Sequence, residues 1–171
     1  MLLVADVGNT ETTIGLCAGE IVTDHWRITT EVQRTPDEML LVLRGLLRAN
    51  HVEIDAVAAA AIGSVVPGVT PALVEAAARL TGSTPVVVDA RSPLGITVAV
   101  DEPMTVGADR IINTLAASRM YAADCIVVDL GTATTYDCIT ADGVFLGGVI
   151  QPGVRTSAET LFRRASKLTA T

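Results

Sequence analysis

The 171 residues are half apolar but only 3% aromatic, which gives Val, Ala, Leu and Ile enough for a sizeable core of strands buried by helices. A net charge of −7 disfavours a nonspecific nucleic-acid or anionic-membrane surface. The longest uncharged apolar stretch, residues 56–62, falls far short of the roughly 20 residues that span a bilayer, and no basic leader precedes the first apolar run, so a soluble cytoplasmic protein is expected.

In chain order, residues 2–5, 12–17 and 21–28 read as three consecutive strands, with turns at Gly8-Asn9 and Ala18-Gly19-Glu20. Thr35-Pro36-Asp37-Glu38 then opens a helix: Thr at the cap, Pro at the first position, acids in the first turn and Glu38 placed for a capping box. Its expected buried stripe is Met39, Val42, Leu43, Leu46 and Leu47, and it ends near Asn50. Residues 54–62 read as a small-residue strand, and 63–67 as the loop after it. Thr70-Pro71 starts a helix over 72–80 that Gly82 ends, and 85–89 form a short strand. Residues 90–106, with Pro93, Gly95 and Pro103, read as an irregular stretch long enough to be a functional loop. A helix over 110–120 follows.

At Cys125 the order restarts: a strand to Asp129, a strand over 133–140, a turn at Asp142-Gly143, a strand over 144–150 and a helix over 154–167. The expected organisation is therefore a domain over 1–121 and the first half, βββα, of a second similar domain over 122–171. A half-built sheet leaves an edge strand and part of an apolar face uncovered.

The two halves repeat one stretch. Ile126-Val127-Val128 delivers Asp129 and then Leu130-Gly131-Thr132-Ala133-Thr134-Thr135, while Leu3-Val4-Ala5 delivers Asp6 and then Val7-Gly8-Asn9-Thr10-Glu11-Thr12-Thr13. A constant shift lays Asp6 on Asp129, Gly8 on Gly131 and Thr12 on Thr135. An apolar strand ending in a carboxylate, then Gly and hydroxyls, suits a phosphate-handling turn, although a lone Asp-x-Gly is also ordinary turn chemistry. The duplication suggests paired domains that grip one polyphosphate. Lys167 is the only lysine and no GxxxxGK[ST] surrounds it, which excludes a Walker-type loop. His25 and His51 read as surface or cap residues, the cluster Arg155, Arg163, Arg164 and Lys167 as a solvated helix face, and Cys17, Cys125 and Cys138 as buried thiols in a reducing compartment. Trp26 reads as core or interface.

Five stretches together resemble one family. Asp6-Val7-Gly8-Asn9-Thr10, Trp26-Arg27-Ile28-Thr29-Thr30, Gly107-Ala108-Asp109-Arg110-Ile111, Asp129-Leu130-Gly131-Thr132-Ala133-Thr134-Thr135 and Phe145-Leu146-Gly147-Gly148-Val149-Ile150-Gln151-Pro152-Gly153 are similar to type III pantothenate kinase, within the actin, sugar-kinase and Hsp70 ATPase superfamily. The resemblance implies an α/β fold of duplicated ribonuclease H-like (actin-like ATPase) domains, the second incomplete, and a chain shorter at its C-terminus than the family. It implies ATP-dependent phosphorylation of the primary hydroxyl of pantothenate, the first step toward coenzyme A, by a homodimer.

By that resemblance Asp6, Val7, Gly8, Asn9, Thr10, Glu11, Thr12 and Thr13 hold the ATP phosphates, with Thr132 in the second turn. Asp129 binds a monovalent cation, K⁺ or NH₄⁺, and Asp6 serves Mg²⁺. Gly107, Ala108, Asp109 and Arg110 bind pantothenate, Asp109 being the base and, on local grounds, also a helix N-cap. Arg110 either pairs with the pantothenate carboxylate or ties down its loop. Val100 stands where many family members carry a substrate-contacting tyrosine. Gly147-Gly148 and Pro152-Gly153 either line the substrate site and dimer interface or only supply turns. Two other readings stay open: a catalytically silent remnant that binds phosphate or a partner chain, and an actin-like or sugar-kinase ATPase, which leaves Gly107-Ala108-Asp109-Arg110 without a role.

Overall fold

The computed structural model describes residues 1–31 and 33–164, which fall into two compact units: residues 1–91 with 107–109, and residues 92–106 with 110 onward. In the first unit, β1 (Leu2–Val7), β2 (Glu11–Ala18) and β3 (Ile21–Thr29) form an antiparallel meander. β4 (Ala59–Ser64) and β5 (Val86–Val88) extend it in parallel, giving the order β3-β2-β1-β4-β5. Alternation along β1 puts Leu3, Ala5 and Val7 into the core. There they meet Met39, Leu40, Leu43 and Leu47 of α1 (Pro36–Ala49) and Leu73, Ala76, Ala77 and Leu80 of α2 (Thr70–Thr81).

The buried stripe of α1 differs slightly from its expected composition: Leu40 is buried, while Val42 and Leu46 lie at its half-buried margin. α2 ends where Gly82 takes a left-handed conformation, φ 69°, that L side chains resist. The strand expected over 54–62 is shorter. Residues Ile54–Ala56 form a 3-10 turn, and β4 begins only at Ala59, where pairing with β1 starts.

The second unit is a four-stranded sheet in the order β6-β9-β8-β7, made of β6 (Thr97–Val98), β7 (Cys125–Leu130), β8 (Ala133–Ile139) and β9 (Val144–Pro152). The stretch expected to be irregular therefore contains a short strand, β6, parallel to β9, and a 3-10 turn at Pro103–Thr105. α3 (Ala108–Tyr121) starts two residues earlier than the expected position 110. α4 (Val154–Arg164) is described to Arg164; its expected extension to 167, and Lys167 with it, lie outside the described residues. The core here is small: Ala117, Ile139 and Phe145, flanked by Val98, Val100, Val106, Cys125 and Val127.

The two first strands differ sharply in cover. Ile126, Val128 and Leu130 of β7 occupy the positions of Leu3, Ala5 and Val7, yet they are 63%, 49% and 72% exposed against 2%, 7% and 0%. β1 is paired on both edges and β7 on one. None of the cysteines is fully buried, contrary to the expectation; Cys17 and Cys125 are half-buried and Cys138 is exposed. Trp26 is half-buried against the first core and its indole N–H donates to Asn50 Oδ1 at 3.3 Å. No described helix is long and apolar enough to cross a membrane.

The capping box at α1 is complete. The Glu38 amide donates to Thr35 Oγ1 at 3.3 Å, and the Thr35 amide donates to Glu38 Oε2 at 2.7 Å. The Thr35 amide, then the Thr35 hydroxyl, hold the Glu38 carboxyl below its ordinary value. A depressed carboxylate stabilises the fold fully above its unfolded-state pKa and ceases to do so as pH falls through the folded one. Thr35→Ala is expected to lower stability by about 1 kcal/mol. Glu38→Gln should be less stable than the parent at neutral pH in urea titrations, with the gap closing in acid; a gap independent of pH would contradict the charged capping box.

Candidate functional site

In the first unit the β1–β2 turn consists of Gly8, Asn9 and Thr10, closed by the Gly8 amide donating to the Glu11 carbonyl at 3.1 Å. Asp6 lies on β1 opposite Thr13, in the phase away from the core, and is exposed. Val7 and Thr12 are 0% and 1% exposed, so neither side chain is open to solvent. Asn9, Thr10 and Glu11 are exposed, Gly8 and Thr13 half-buried.

One residue that the sequence left without a role fixes this turn. Thr30 Oγ1 lies 2.7 Å from the Gly8 carbonyl, to which it donates, and 2.8 Å from Thr12 Oγ1, while the Thr30 amide donates to the Thr10 carbonyl at 3.0 Å. Thr30 thus binds both ends of the turn. A hydroxyl just beyond the end of β3, the strand that pairs with β2, was the available signal.

The head of α3 forms a second group. Ala108 is buried, and Asp109 is half-buried within the first helical turn, so it is not the N-cap that its position before residue 110 suggested. Its carboxylate reaches back to Gly107: a Cβ there would lie 2.5 Å from Asp109 Oδ1 and 3.1 Å from Val65 Cγ1. Glycine at 107 is what makes room for the Asp109 side chain. A carboxylate in the first turn also meets the positive end of the helix dipole.

In the second unit the corresponding turn is one residue shorter. Gly131 and Thr132 alone connect β7 to β8, and the Gly131 amide donates to the Ala133 carbonyl at 2.9 Å. Asp129 therefore pairs with Thr135, whereas Asp6 pairs with Thr13, so the constant shift read from sequence holds up to the glycine and fails by one residue beyond it. The Thr132 carbonyl accepts from the Gly153 amide at 3.0 Å and the Thr156 hydroxyl at 2.9 Å. A Cβ on Gly153 would collide with the Gly131 carbonyl, so this glycine is required for close approach to the turn.

Arg110 heads the fourth group. Its Nε donates to Asp137 Oδ1 at 2.7 Å, its Nη2 lies 2.6 Å from the same oxygen, and its guanidinium carbon sits 5.0 Å from the centroid of Phe145. Gly148 leaves room for that pair, since a Cβ there would come within 2.5 Å of Nη2 and 2.7 Å of Oδ1. Val100 packs against the small core of Ala117, Ile139 and Phe145, its Cγ1 3.6 Å from where a Gly147 Cβ would stand. Asp137 was not among the expected site residues. A lone carboxylate between Tyr136 and Cys138 in an otherwise uncharged strand was the signal, because a charge in the buried phase needs a partner.

Among the described residues no three or more His, Cys, Asp or Glu side chains are arranged to hold a metal. Asp6 and Asp129 instead each place one exposed carboxylate near a strand end, opposite Thr13 and Thr135 on the neighbouring strand. Such a hard, sparse donor set fits an ion that keeps most of its ligands as water and phosphate, the habit of Mg²⁺, or a weakly held monovalent cation.

Sequence and structure comparisons place the chain among known proteins. The family profile described as Type III pantothenate kinase matches residues 2–171. The chain is 44% identical, over 98% of its length, to the type III pantothenate kinase of Streptomyces avermitilis, and 44% identical over 98% to that of Syntrophotalea carbinolica. It spans 65% and 66% of the length of those two relatives. Among solved structures it is similar to the ethanolamine utilization protein EutJ from Carboxydothermus hydrogenoformans, with a TM-score of 0.54 at 15% identity, covering 98% of this chain and 57% of that one. The mixed-sheet α/β fold is shared with that structure.

Removing the Thr30 hydroxyl leaves the Gly8 carbonyl and the buried Thr12 hydroxyl without it. Thr30→Val is expected to lower stability by about 1–3 kcal/mol and to speed hydrogen exchange at the amides of Gly8 and of residue 30, which donate to the Glu11 and Thr10 carbonyls; unchanged exchange there would mean the turn holds itself.

Proposed function

The chain belongs to the type III pantothenate kinase family, and we propose that it takes part in ATP-dependent phosphorylation of the primary hydroxyl of pantothenate, giving 4′-phosphopantothenate. The observation that carries this reading is the repeated strand-end carboxylate and glycine turn, Asp6 with Gly8 and Asp129 with Gly131, in a chain whose α3 opens with Asp109 made room for by Gly107.

Phosphoryl transfer asks the protein for positioning and charge neutralisation more than for covalent chemistry, so a chain with a single lysine and no Walker-type loop meets the requirement. In this reading the backbone from Asp6 to Thr13 and the hydroxyl of Thr132 hold the phosphates. Asp6 serves Mg²⁺, which when bound neutralises charge on the phosphate oxygens, and Asp129 serves the K⁺ or NH₄⁺ ion. Asp109 accepts the proton of the attacking hydroxyl as its oxygen bonds to the γ-phosphorus and the bond from that phosphorus to the β,γ-bridging oxygen breaks, releasing ADP. Arg110 receives the pantothenate carboxylate in a charge-assisted pair, and Gly107, Ala108 and Val100 shape the ground around the substrate. The protein acts as a cytoplasmic homodimer. Identity of 44% to two pantothenate kinases does not favour a silent binding module.

Incubation with ATP, pantothenate, Mg²⁺ and K⁺ should yield 4′-phosphopantothenate by mass spectrometry. Loss of a general base is worth about 10²–10⁴-fold, so Asp109→Asn should lower turnover by that factor with ATP affinity nearly unchanged. Wild-type turnover in that variant would remove Asp109 from the role of base. Asp129→Ala should lose activity and its response to K⁺ together, and an unaltered K⁺ titration would unseat Asp129 as the cation ligand.

A further inference from the structure

Asp137 is 0% exposed, on the same strand as the core residue Ile139, and the proposed function gives it no task. A carboxylate there is retained only with a partner, and the partner is Arg110, through Nε at 2.7 Å and Nη2 at 2.6 Å to one oxygen, Oδ1. Its other oxygen, Oδ2, is buried without a hydrogen bond. The pair is therefore asymmetric: Asp137 holds Arg110 from one side through a single oxygen.

Two further features restrict the same guanidinium. The Phe145 ring lies against it at 5.0 Å, and Phe145 is itself only 2% exposed, so the ring does not move aside freely. Gly148, on β9 beside Asp137 on β8, is the position whose Cβ would displace Nη2. A strand partner, a ring and a missing side chain thus fix the plane of a group that otherwise rotates about several bonds. Arginine binds carboxylates best as a planar fork, and fixing the fork beforehand removes the ordering cost at the moment of binding.

We propose that Asp137 is a positioning residue for substrate recognition: its ion pair with Arg110 holds the guanidinium in the orientation that receives the carboxylate of the acid substrate. This rests on the reading in which Arg110 meets the pantothenate carboxylate. Asp137 does not touch the substrate. It acts through Arg110, with Phe145 and Gly148 as the walls of the seat. A guanidinium carries five N–H donors, more than one carboxylate oxygen can use, so one arginine can serve an inner and an outer carboxylate together.

The test begins on the unaltered chain. The Arg110 Nε–H resonance in a ¹⁵N-edited spectrum is assigned by its loss in Arg110→Lys. It should be resolved and slow to exchange with solvent, and should shift on addition of pantothenate but not on addition of ATP alone. An Arg110 Nε–H that exchanges as fast as an exposed arginine, or does not respond to pantothenate, overturns the proposal.

Asp137→Asn keeps the shape and one acceptor, and is expected to raise the pantothenate KM about tenfold with the ATP KM unchanged; Asp137→Ala should raise it further. A role confined to stability would move the melting temperature and leave that split absent, so an unchanged pantothenate KM, or an equal rise in both KM values, also overturns it. An unaltered chain that makes no product defeats the functional reading before any variant is compared. In that case the Nε–H exchange in Asp137→Asn still decides whether Asp137 holds Arg110.

Discussion

β1 is hydrogen-bonded along both edges, antiparallel to β2 and parallel to β4, and this double pairing governs the first unit. It forces one face of the strand into the core, where Leu3, Ala5 and Val7 meet α1 and α2, and leaves Asp6 in the other phase at the strand end. The place of the carboxylate is thus a matter of register. A slip of one residue would bury Asp6 and expose Val7, so the hydrophobic pattern protects the position of a charged side chain that contributes little to the core itself.

The second unit solves the same problem with less material. Its strand β7 has one hydrogen-bonded neighbour, and Ile126, Val128 and Leu130 remain largely in water; each side chain of that size forgoes roughly 1.5–3 kcal/mol of burial. Among the described residues its order comes from the buried apolar side chains Ile111, Ala117, Ile139 and Phe145 and from polar ties: the Arg110–Asp137 pair, and the Thr132 carbonyl held by Gly153 and Thr156. The first turn depends on Thr30 as the second depends on Thr156, so each Asp-x-Gly turn is held by a hydroxyl from elsewhere in its own unit.

What the sequence made legible was what is encoded locally. The cap of α1 lies within Thr35-Pro36-Asp37-Glu38 and is read without reference to anything else. The strand-turn-strand units and the glycines in them are equally local. β6 was not legible because two residues carry no period; it exists as a strand only through pairing with Val144 and Phe145. Residues 54–56 were drawn into β4 because Ile54 and Ala56 lead directly into its small apolar residues, and only pairing with β1 tells where the strand begins. The one-residue difference between the two turns was hidden by the matching glycines. Asp137 and Thr30 escaped because their partners, Arg110 and Gly8, are remote in sequence, and no spacing rule links them.

The pairing of β6 with β9 bears on how the chain is assembled as it leaves the ribosome. All five strands of the first sheet, and both helices that cover it, are complete once residue 88 has emerged. β6 follows within ten residues but has nothing to pair with until residues 144 and 145 are made. During synthesis of the intervening stretch, the first unit can collapse on its own core while the segment leading into α3 trails as an unpaired tether. At about 5–20 residues per second, that interval lasts seconds, long compared with the microseconds in which local strands and helices form. The order in which the halves become structured is therefore written into the wiring of the second sheet.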